Sequence, residues 1–383
     1  MHNVAAPMQA MIGTQQRSAF GASAWANIRA DAPLYLAIAA YTIFGLAFLD
    51  INGFSHLATY STYLGKWLMV FGFVFPVVTI LCHYGLLIHR FDRRRMLAAK
   101  RIFGADNAAY FASGLCLLMS MMIFQGTFTS VKNGLAAWHG GFPLERHFAD
   151  IDKALHFGVD PWRYLFAFAE NETFLSFVEW NYGVLWFVIC FGVMFYMVTS
   201  ARTKAARSRY VLSFMLTWIV VGNIAAGIFM CAGPAYYGLV TGDTARFGDQ
   251  LAFLAKHADY DGSAAYYQNY LWMLYERGMT GFGSGISAFP SMHVAFIMLT
   301  ALFVWERSRL LGLAAFAYVA FINASSVYLA WHYAVDGYAS IILTLGIYYA
   351  LRQLAPDDHL ADKGATHPAN RSLSIATSAQ PAG

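Results

Sequence analysis

The feature that most constrains this chain is a series of apolar stretches, each near membrane-spanning length and almost free of charge. A bilayer core of about 30 Å takes about 20 such residues per α-helix. In that medium every backbone N–H and C=O must be satisfied within the segment, and a helix does this where an open strand cannot. Eight stretches qualify, near 33–50, 67–89, 107–128, 181–200, 210–232, 286–305, 310–331 and 333–351. The expected fold class is therefore all-α: a polytopic membrane helix bundle of about eight transmembrane helices. The last stretch is only just long enough and starts beside His332 and Asp336. Composition points the same way. Hydrophobic residues make up 58% of the chain and charged residues 12%, against about 45–50% and about 25% in soluble domains.

Orientation follows from Lys and Arg in the short connections. Segment 90–101 carries Arg90, Arg93, Arg94, Arg95, Lys100 and Arg101, and segment 201–209 carries Arg202, Lys204, Arg207 and Arg209. Arg307 and Arg309 follow the sixth stretch, and Arg352 follows the last. Eight spans put all of these on one side, which the positive-inside rule makes cytoplasmic, together with both termini. The chain then divides into a cytoplasmic N-terminal segment at 1–32, a transmembrane unit at 33–351 and a cytoplasmic tail at 352–383. The tail is polar and rich in Ala, Pro and Ser, and is expected to be disordered. Residues 1–32 hold no continuous apolar core, so no cleavable signal peptide is expected and the first span serves as the anchor. The expected location is multi-pass in a bacterial inner membrane or its equivalent.

Two long connections, about 129–180 and about 233–285, fall on the opposite face, and loops of that length usually carry function. No internal repeat is visible, so the inverted-repeat pattern of transporters finds no support. The net charge of +4 is too weak to suggest nucleic acid, and no zinc-finger spacing or RNA-binding signature is present. Cys82, Cys116, Cys190 and Cys231 all lie in apolar runs with no metal-ligand spacing, and read as buried apolar thiols. Nothing in the sequence indicates an oligomeric state.

Ionisable groups at membrane depth are expensive and mark function, and here they converge on the non-cytoplasmic face. Segment 288–293 reads Ala-Phe-Pro-Ser-Met-His at the start of the sixth span. Segment 325–336, from Ser325 to Asp336, bridges the last two spans on that same side. His332 and Asp336 are four apart, so on one helix they face each other. The carboxylate can hold one imidazole N–H and leave the other nitrogen free as nucleophile or base. Pro290-Ser291 suits a helix start, where Ser291 can cap or donate to an anion and free backbone N–H groups favour phosphate. A lone histidine at a helix end, such as His83, is more often merely interfacial. Two such elements on one face of a charge-poor chain favour function instead. Gly281 to Gly285 is glycine-rich, but no Lys-Ser/Thr follows and it reads as a flexible approach to the sixth span.

Pro290-Ser291-Met292-His293, with Tyr328-x-x-x-His332-x-x-x-Asp336, resembles the type 2 phosphatidic acid phosphatase superfamily. More narrowly it is similar to the branch holding inositol phosphorylceramide synthases, the aureobasidin-sensitive enzymes. Softer resemblances lie at Cys231-Ala232-Gly233-Pro234-Ala235-Tyr236 and at Phe157-Gly158-Val159-Asp160-Pro161-Trp162. The resemblance implies a lipid phosphotransferase or phosphatase that works without metal or cofactor on a phospholipid or lipid phosphate. His332 would attack phosphorus and form a phosphohistidine, Asp336 would orient it, and His293 would protonate the leaving oxygen and then activate water or an acceptor hydroxyl.

Two departures stand out. The Arg that the phosphatase motif places six residues before the nucleophile is Ser326 here, and no Lys-x6-Arg-Pro motif occurs. Both favour the synthase-like branch and leave the phosphate clamp open. Lys132 and Arg277 are the cations on the expected face, and with Ser291 they are the candidate phosphate-binding residues. Competing readings are a plain lipid phosphatase acting on phosphatidic acid or a polyprenyl or sphingoid phosphate, a transporter using the His/Asp cluster, a noncatalytic scaffold, and a zinc site built from His293, His332 and Asp336.

Overall fold

The computed structural model describes residues 20–90, 94–258 and 261–354. Most of the N-terminal segment, Arg93 and the tail from 355 onward lie outside the described residues. Every regular element among the described residues is helical, and the chain is an integral-membrane helix bundle. Among the described residues seven helical runs are long and apolar enough to span: α1 (Ala32–Ile51), α2 (Ser55–His89), α3 (Ala105–His139), α6 (Glu172–Thr199), α7 (Ala201–Ile228), α11 (Arg309–Tyr328) and α12 (Ala334–Leu354). Between α3 and α6 lie α4 (Glu145–Leu155) and α5 (Pro161–Ala169). Between α7 and α11 lie α8 (Gly248–Lys256), α9 (Ala264–Glu276) and α10 (Met292–Arg307).

The sixth apolar stretch differs most from its sequence reading. Residues 286–291 are not helical, and α10 is left with 16 residues, just under the usual spanning length. It is also the most enclosed helix, with an unbroken buried run from Val294 to Phe303, packed against α7, α11 and α12. α2 is the opposite case, with Met69, Phe73 and Leu81 more than half exposed, a face suited to lipid tails rather than water.

α3 continues to His139, well past the boundary expected from hydropathy. The polar residues that appeared to end it are satisfied locally: Thr127 Oγ1 donates to Ile123 O at 2.9 Å, Ser130 Oγ to Gly126 O at 2.7 Å and Thr129 Oγ1 to Tyr63 Oη at 2.9 Å. Lys132 is thereby a helix residue, not a loop residue. Similarly α6 begins at Glu172, with Asn171 capping it by accepting Phe174 N–H at 2.8 Å. The two long connections are consequently helix-containing segments, shorter in free loop than the sequence reading allowed.

Two buried arginines of the bundle are paired with carboxylates, which offsets the cost of a charge in a low dielectric. Arg207 holds Asp31 at 2.6 Å and Arg209 holds Glu306 at 2.8 Å, both guanidinium side chains being only 3% exposed. These two arginines were counted among the loop charges; they are interior clamps, which leaves Arg202 and Lys204 as the solvent-side charges of that turn.

Candidate active site

The site forms where three backbone segments meet at one end of α10 and α12. The first is 231–236, after α7. Ala288 N–H donates to Cys231 O at 2.9 Å, and Ala235 N–H donates to Ala330 O at 2.9 Å, so this segment touches the other two. Gly233 has φ +99 at the crossing, and a Cβ there would lie 2.8 Å from both Ala288 Cβ and Trp331 O. Only glycine permits so close an approach.

The second segment, 286–291, leads into α10. Ser291 is its N-cap: the hydroxyl accepts Val294 N–H at 3.5 Å, while the backbone N–H donates to Asp336 O at 3.2 Å. His293, in the first turn of α10, has its ring centroid 4.2 Å from Tyr182 and 4.2 Å from Trp186, nearly parallel to the tyrosine. Trp186 Nε1–H donates to the His293 carbonyl at 2.9 Å, which fixes the backbone beneath the ring.

The third segment carries His332. α11 ends as Leu329 N–H donates to Ser325 O, and the chain reverses at Ala330, whose φ of 58 is in the left-handed region. Trp331 N–H and His332 N–H then both donate to Ser326 O, at 2.9 and 3.3 Å. Residues of α8 and α9 hold this turn from outside. Gln250 Nε2 donates to Val327 O at 2.7 Å and to Tyr328 O at 3.1 Å, and Gln268 Nε2 donates to Leu329 O at 2.8 Å. Ser326, standing where the common motif has Arg, is fully buried and donates to Asn323 O at 2.7 Å.

His332 Nδ1 lies 2.7 Å from Ala288 O and 3.3 Å from Asp336 Oδ2. Both partners are acceptors, so Nδ1 carries the proton and Nε2 keeps its lone pair. The i,i+4 spacing places the carboxylate near the ring, though not along one helix as expected: His332 precedes α12, and Asp336 Oδ2 also accepts Tyr333 N–H at 2.9 Å, closing the helix entry. The shorter bond to the imidazole comes from Ala288, a partner that no spacing rule reveals. Burial pushes the His332 imidazole down to about 3, with the Lys132 charge adding to the fall and the Ala288 bond opposing it. The ring is therefore neutral at physiological pH.

Lys132 lies near enough for its charge to be felt at both His293 and His332. The turn of α3 bearing Lys132 is overlaid by the glycine-rich segment. A Cβ on Gly285, at φ +93, would lie 3.0 Å from the Lys132 carbonyl carbon and from its Cγ. Arg277 is exposed at the C-terminal end of α9, with its backbone N–H on Met273 O, and among the described residues no hydrogen bond ties its side chain to either histidine. Among the described residues no group of three or more His, Cys, Asp or Glu side chains has metal-ligand geometry.

Two carboxylates at the site were not anticipated. Glu145 and Asp152, both on the inner face of α4, accept backbone N–H groups from the site segments. The available signal was the apolar and acidic spacing 145, 148, 149, 152, one face of a helix.

No curated protein and no solved structure matches the chain. The model of the PAP2 superfamily matches residues 146–350, which covers both histidines, Asp336, Ser291 and Arg277 and leaves α1, α2 and Lys132 outside it. With more than half of its length matched, and with a Pro-Ser-x-His helix start facing a clamped histidine, the chain belongs to the PAP2 superfamily.

Proposed function

We propose that the chain is a lipid phosphotransferase working through a phosphohistidine on His332, with a reaction like that of inositol phosphorylceramide synthases. Membership in the superfamily points to phosphatase-type chemistry on lipid phosphates. The observation that carries the finer reading is the clamp on His332: Nδ1–H is shared between Ala288 O and Asp336 Oδ2, so Nε2 is held as a neutral nucleophile. On this reading Nε2 attacks the phosphorus of a lipid head group. The N–P bond forms as the P–O bond to the leaving alcohol breaks, and His293 gives that oxygen its proton. Asp336 stabilises the positive imidazole that results. In the second half His293 takes the proton of an acceptor hydroxyl, the new O–P bond forms and the N–P bond breaks, which restores His332.

Lys132 is proposed as the main phosphate clamp, with Ser291 at the α10 N-terminus, where backbone N–H groups favour anions. Arg277 is the weaker candidate, being exposed on α9. The acceptor is proposed to be a lipid alcohol. The buried setting of His332 and the serine at 326 favour transfer over hydrolysis, because water must be kept from the phosphohistidine. The active site is proposed to face away from the cytoplasm.

The test is trapping. His332→Ala should abolish turnover of labelled phospholipids by the purified protein, and His293→Ala should accumulate an acid-labile phosphoryl adduct on His332, located by mass spectrometry. Each loss should reach at least about a hundredfold, the scale of general acid–base catalysis. Full activity in His332→Ala, or a wild-type adduct on His293, would overturn the assignment. Steady release of inorganic phosphate from phosphatidic acid, indifferent to added ceramide or diacylglycerol, would make the chain a hydrolase.

A further inference from the structure

The amphipathic helix α4 lies at the site without supplying any atom to the proposed reaction, and its inner face touches all three site segments. Glu145 is 1% exposed and Asp152 is 2% exposed, two turns apart on that face. Glu145 accepts the N–H groups of Ala232 and Gly233, the latter at 3.0 Å, and the Tyr333 hydroxyl at 2.5 Å. Asp152 accepts Ala334 N–H at 3.1 Å and Val335 N–H at 3.0 Å, the first turn of α12. Between them Phe148 stacks on Phe289, with ring centroids 4.2 Å apart. The two carboxylates thus hold the residues that join His332 to Asp336, Glu145 at Tyr333 and Asp152 at Ala334 and Val335. Both are far from these residues in sequence.

We propose that Glu145 and Asp152 are positioning residues for the His332 nucleophile. This rests on the phosphoryl-transfer reading above. The physical reason for a carboxylate at each place is that several donors converge on it, three on Glu145 and two on Asp152. An ionised carboxylate has only acceptors and can meet them all, whereas an amide of the same shape turns a donor toward a donor. A buried N–H left unmet is costly, so the backbone would move to find a partner. The movable parts are the ones that matter. Val335 is next to Asp336, Tyr333 is next to His332, and the Gly233 crossing bears on Ala288, whose carbonyl holds Nδ1. A shift there turns the imidazole without touching its own side-chain chemistry.

Asp152 has a further neighbour. His156 Nδ1 is 2.6 Å from the Asp152 carbonyl and 3.6 Å from its Oδ1, and His156 Nε2 lies 3.1 Å from Tyr338 Oη on α12. α4 is therefore joined to α12 at a second point, which makes the helix a brace rather than a passing loop.

The test uses the full-length protein in detergent, labelled with 15N-histidine, with His332→Asn identifying the His332 ring signals. Glu145→Gln and Asp152→Asn keep shape and remove one acceptor each. Both should lower kcat about tenfold to a hundredfold, the scale of a displacement near 1 Å, with KM changed less than about twofold because no group that meets substrate is removed. Both should also move the His332 ring away from a purely Nδ1-protonated signature. Tyr333→Phe, which deletes one bond to Glu145 and keeps the ring, should give a smaller change in the same direction and decides the matter if an acidic-site variant does not fold. Wild-type kcat with wild-type His332 signals in the variants would overturn the proposal. If the wild type turns over no lipid phosphate while the variants still alter the His332 ring, the phosphoryl-transfer reading fails and the positioning of His332 stands. An unaltered ring in that case rejects the positioning as well.

Discussion

Gly233→Ala isolates the crossing on which the site is built. Gly233 has φ 99 and ψ 170, a region open essentially to glycine alone, and holding another residue there costs about 1–3 kcal/mol. The added Cβ would also sit 2.8 Å from Ala288 Cβ and 2.8 Å from Trp331 O. Neither atom is the end of a flexible side chain, so the backbone must give, and overpacking of this kind costs about 1–3 kcal/mol. The sum is about 2–6 kcal/mol before relaxation. Relaxation is where function enters. Ala288 and Trp331 are the two atoms' owners, and they flank the proposed nucleophile: one holds Nδ1 and the other precedes His332. A shift approaching 1 Å is worth about a hundredfold in rate. Thermal unfolding in detergent and turnover of a labelled phospholipid should both be measured, beside Gly85→Ala in α2, where a Cβ meets nothing within 4 Å. Gly233→Ala should lower the midpoint and cut kcat about tenfold or more, while Gly85→Ala should hold or slightly raise the midpoint through helix propensity. A Gly233→Ala protein with wild-type midpoint and wild-type kcat would refute the reasoning.

Three further outcomes follow from the same geometry. Lys132→Met should raise KM for lipid phosphates and lower kcat by about a hundredfold, as loss of one charge-stabilising donor does elsewhere, with partial recovery in Lys132→Arg; unchanged constants would remove Lys132 from the clamp. The His332 pKa gives a stability change of definite sign. The unfolded ring gains its proton near 6.5 and the folded ring near 3, so this contribution is intact above pH 6.5 and drains away as pH falls toward 3. The fall in unfolding midpoint between pH 7 and pH 4 should therefore be smaller in His332→Asn than in wild type, and equal falls would contradict a buried neutral ring. For topology, Phe157→Cys in a background lacking Cys82 and Cys116 should react with an impermeant maleimide in intact cells, since residue 157 is almost fully exposed and the proposed orientation puts it outside the cytoplasm; labelling only after lysis would reverse the orientation.

The spans were readable because the bilayer imposes one demand that a sequence displays directly: length without charge. That demand fails where polar groups are satisfied within the helix. Thr127 and Ser130 donate to carbonyls one turn back, so they end a hydropathy plot without ending α3, and Lys132 was consequently assigned to a loop. It fails in the other direction at 286–291, which is largely apolar but not helical, because Ala288 and Ser291 direct their N–H groups to Cys231 and Asp336 rather than to a helix of their own. Hydropathy also cannot distinguish a loop arginine from an interior one. Arg207 and Arg209 count alike with Arg202 until their partners Asp31 and Glu306 are placed beside them.

The site was legible only as far as its residues announce themselves locally. His293, His332 and Asp336 do so through spacing and charge in an apolar chain. Their supports do not, because each support is a backbone atom or a residue of ordinary type. The closest partner of His332 Nδ1 is a carbonyl of Ala288, and the reversal before it is made by Ala330 at a positive φ where a reader would look for glycine. The carbonyls at the end of α11 are met by Gln250 and Gln268, two glutamines from separate short helices. Such partners are chosen by position alone, and a sequence encodes position only through the whole fold. That is also why the carboxylates of α4 are informative. A buried acid costs free energy unless donors converge on it, so an acidic residue spaced with the apolar face of an amphipathic helix implies waiting N–H groups even before they are located. Glu145 and Asp152 satisfy that rule with four backbone donors from the segments around His332. In a chain this poor in charge, an inward-facing carboxylate met by backbone N–H groups rather than by an arginine, as Asp31 is, points to the segments it holds.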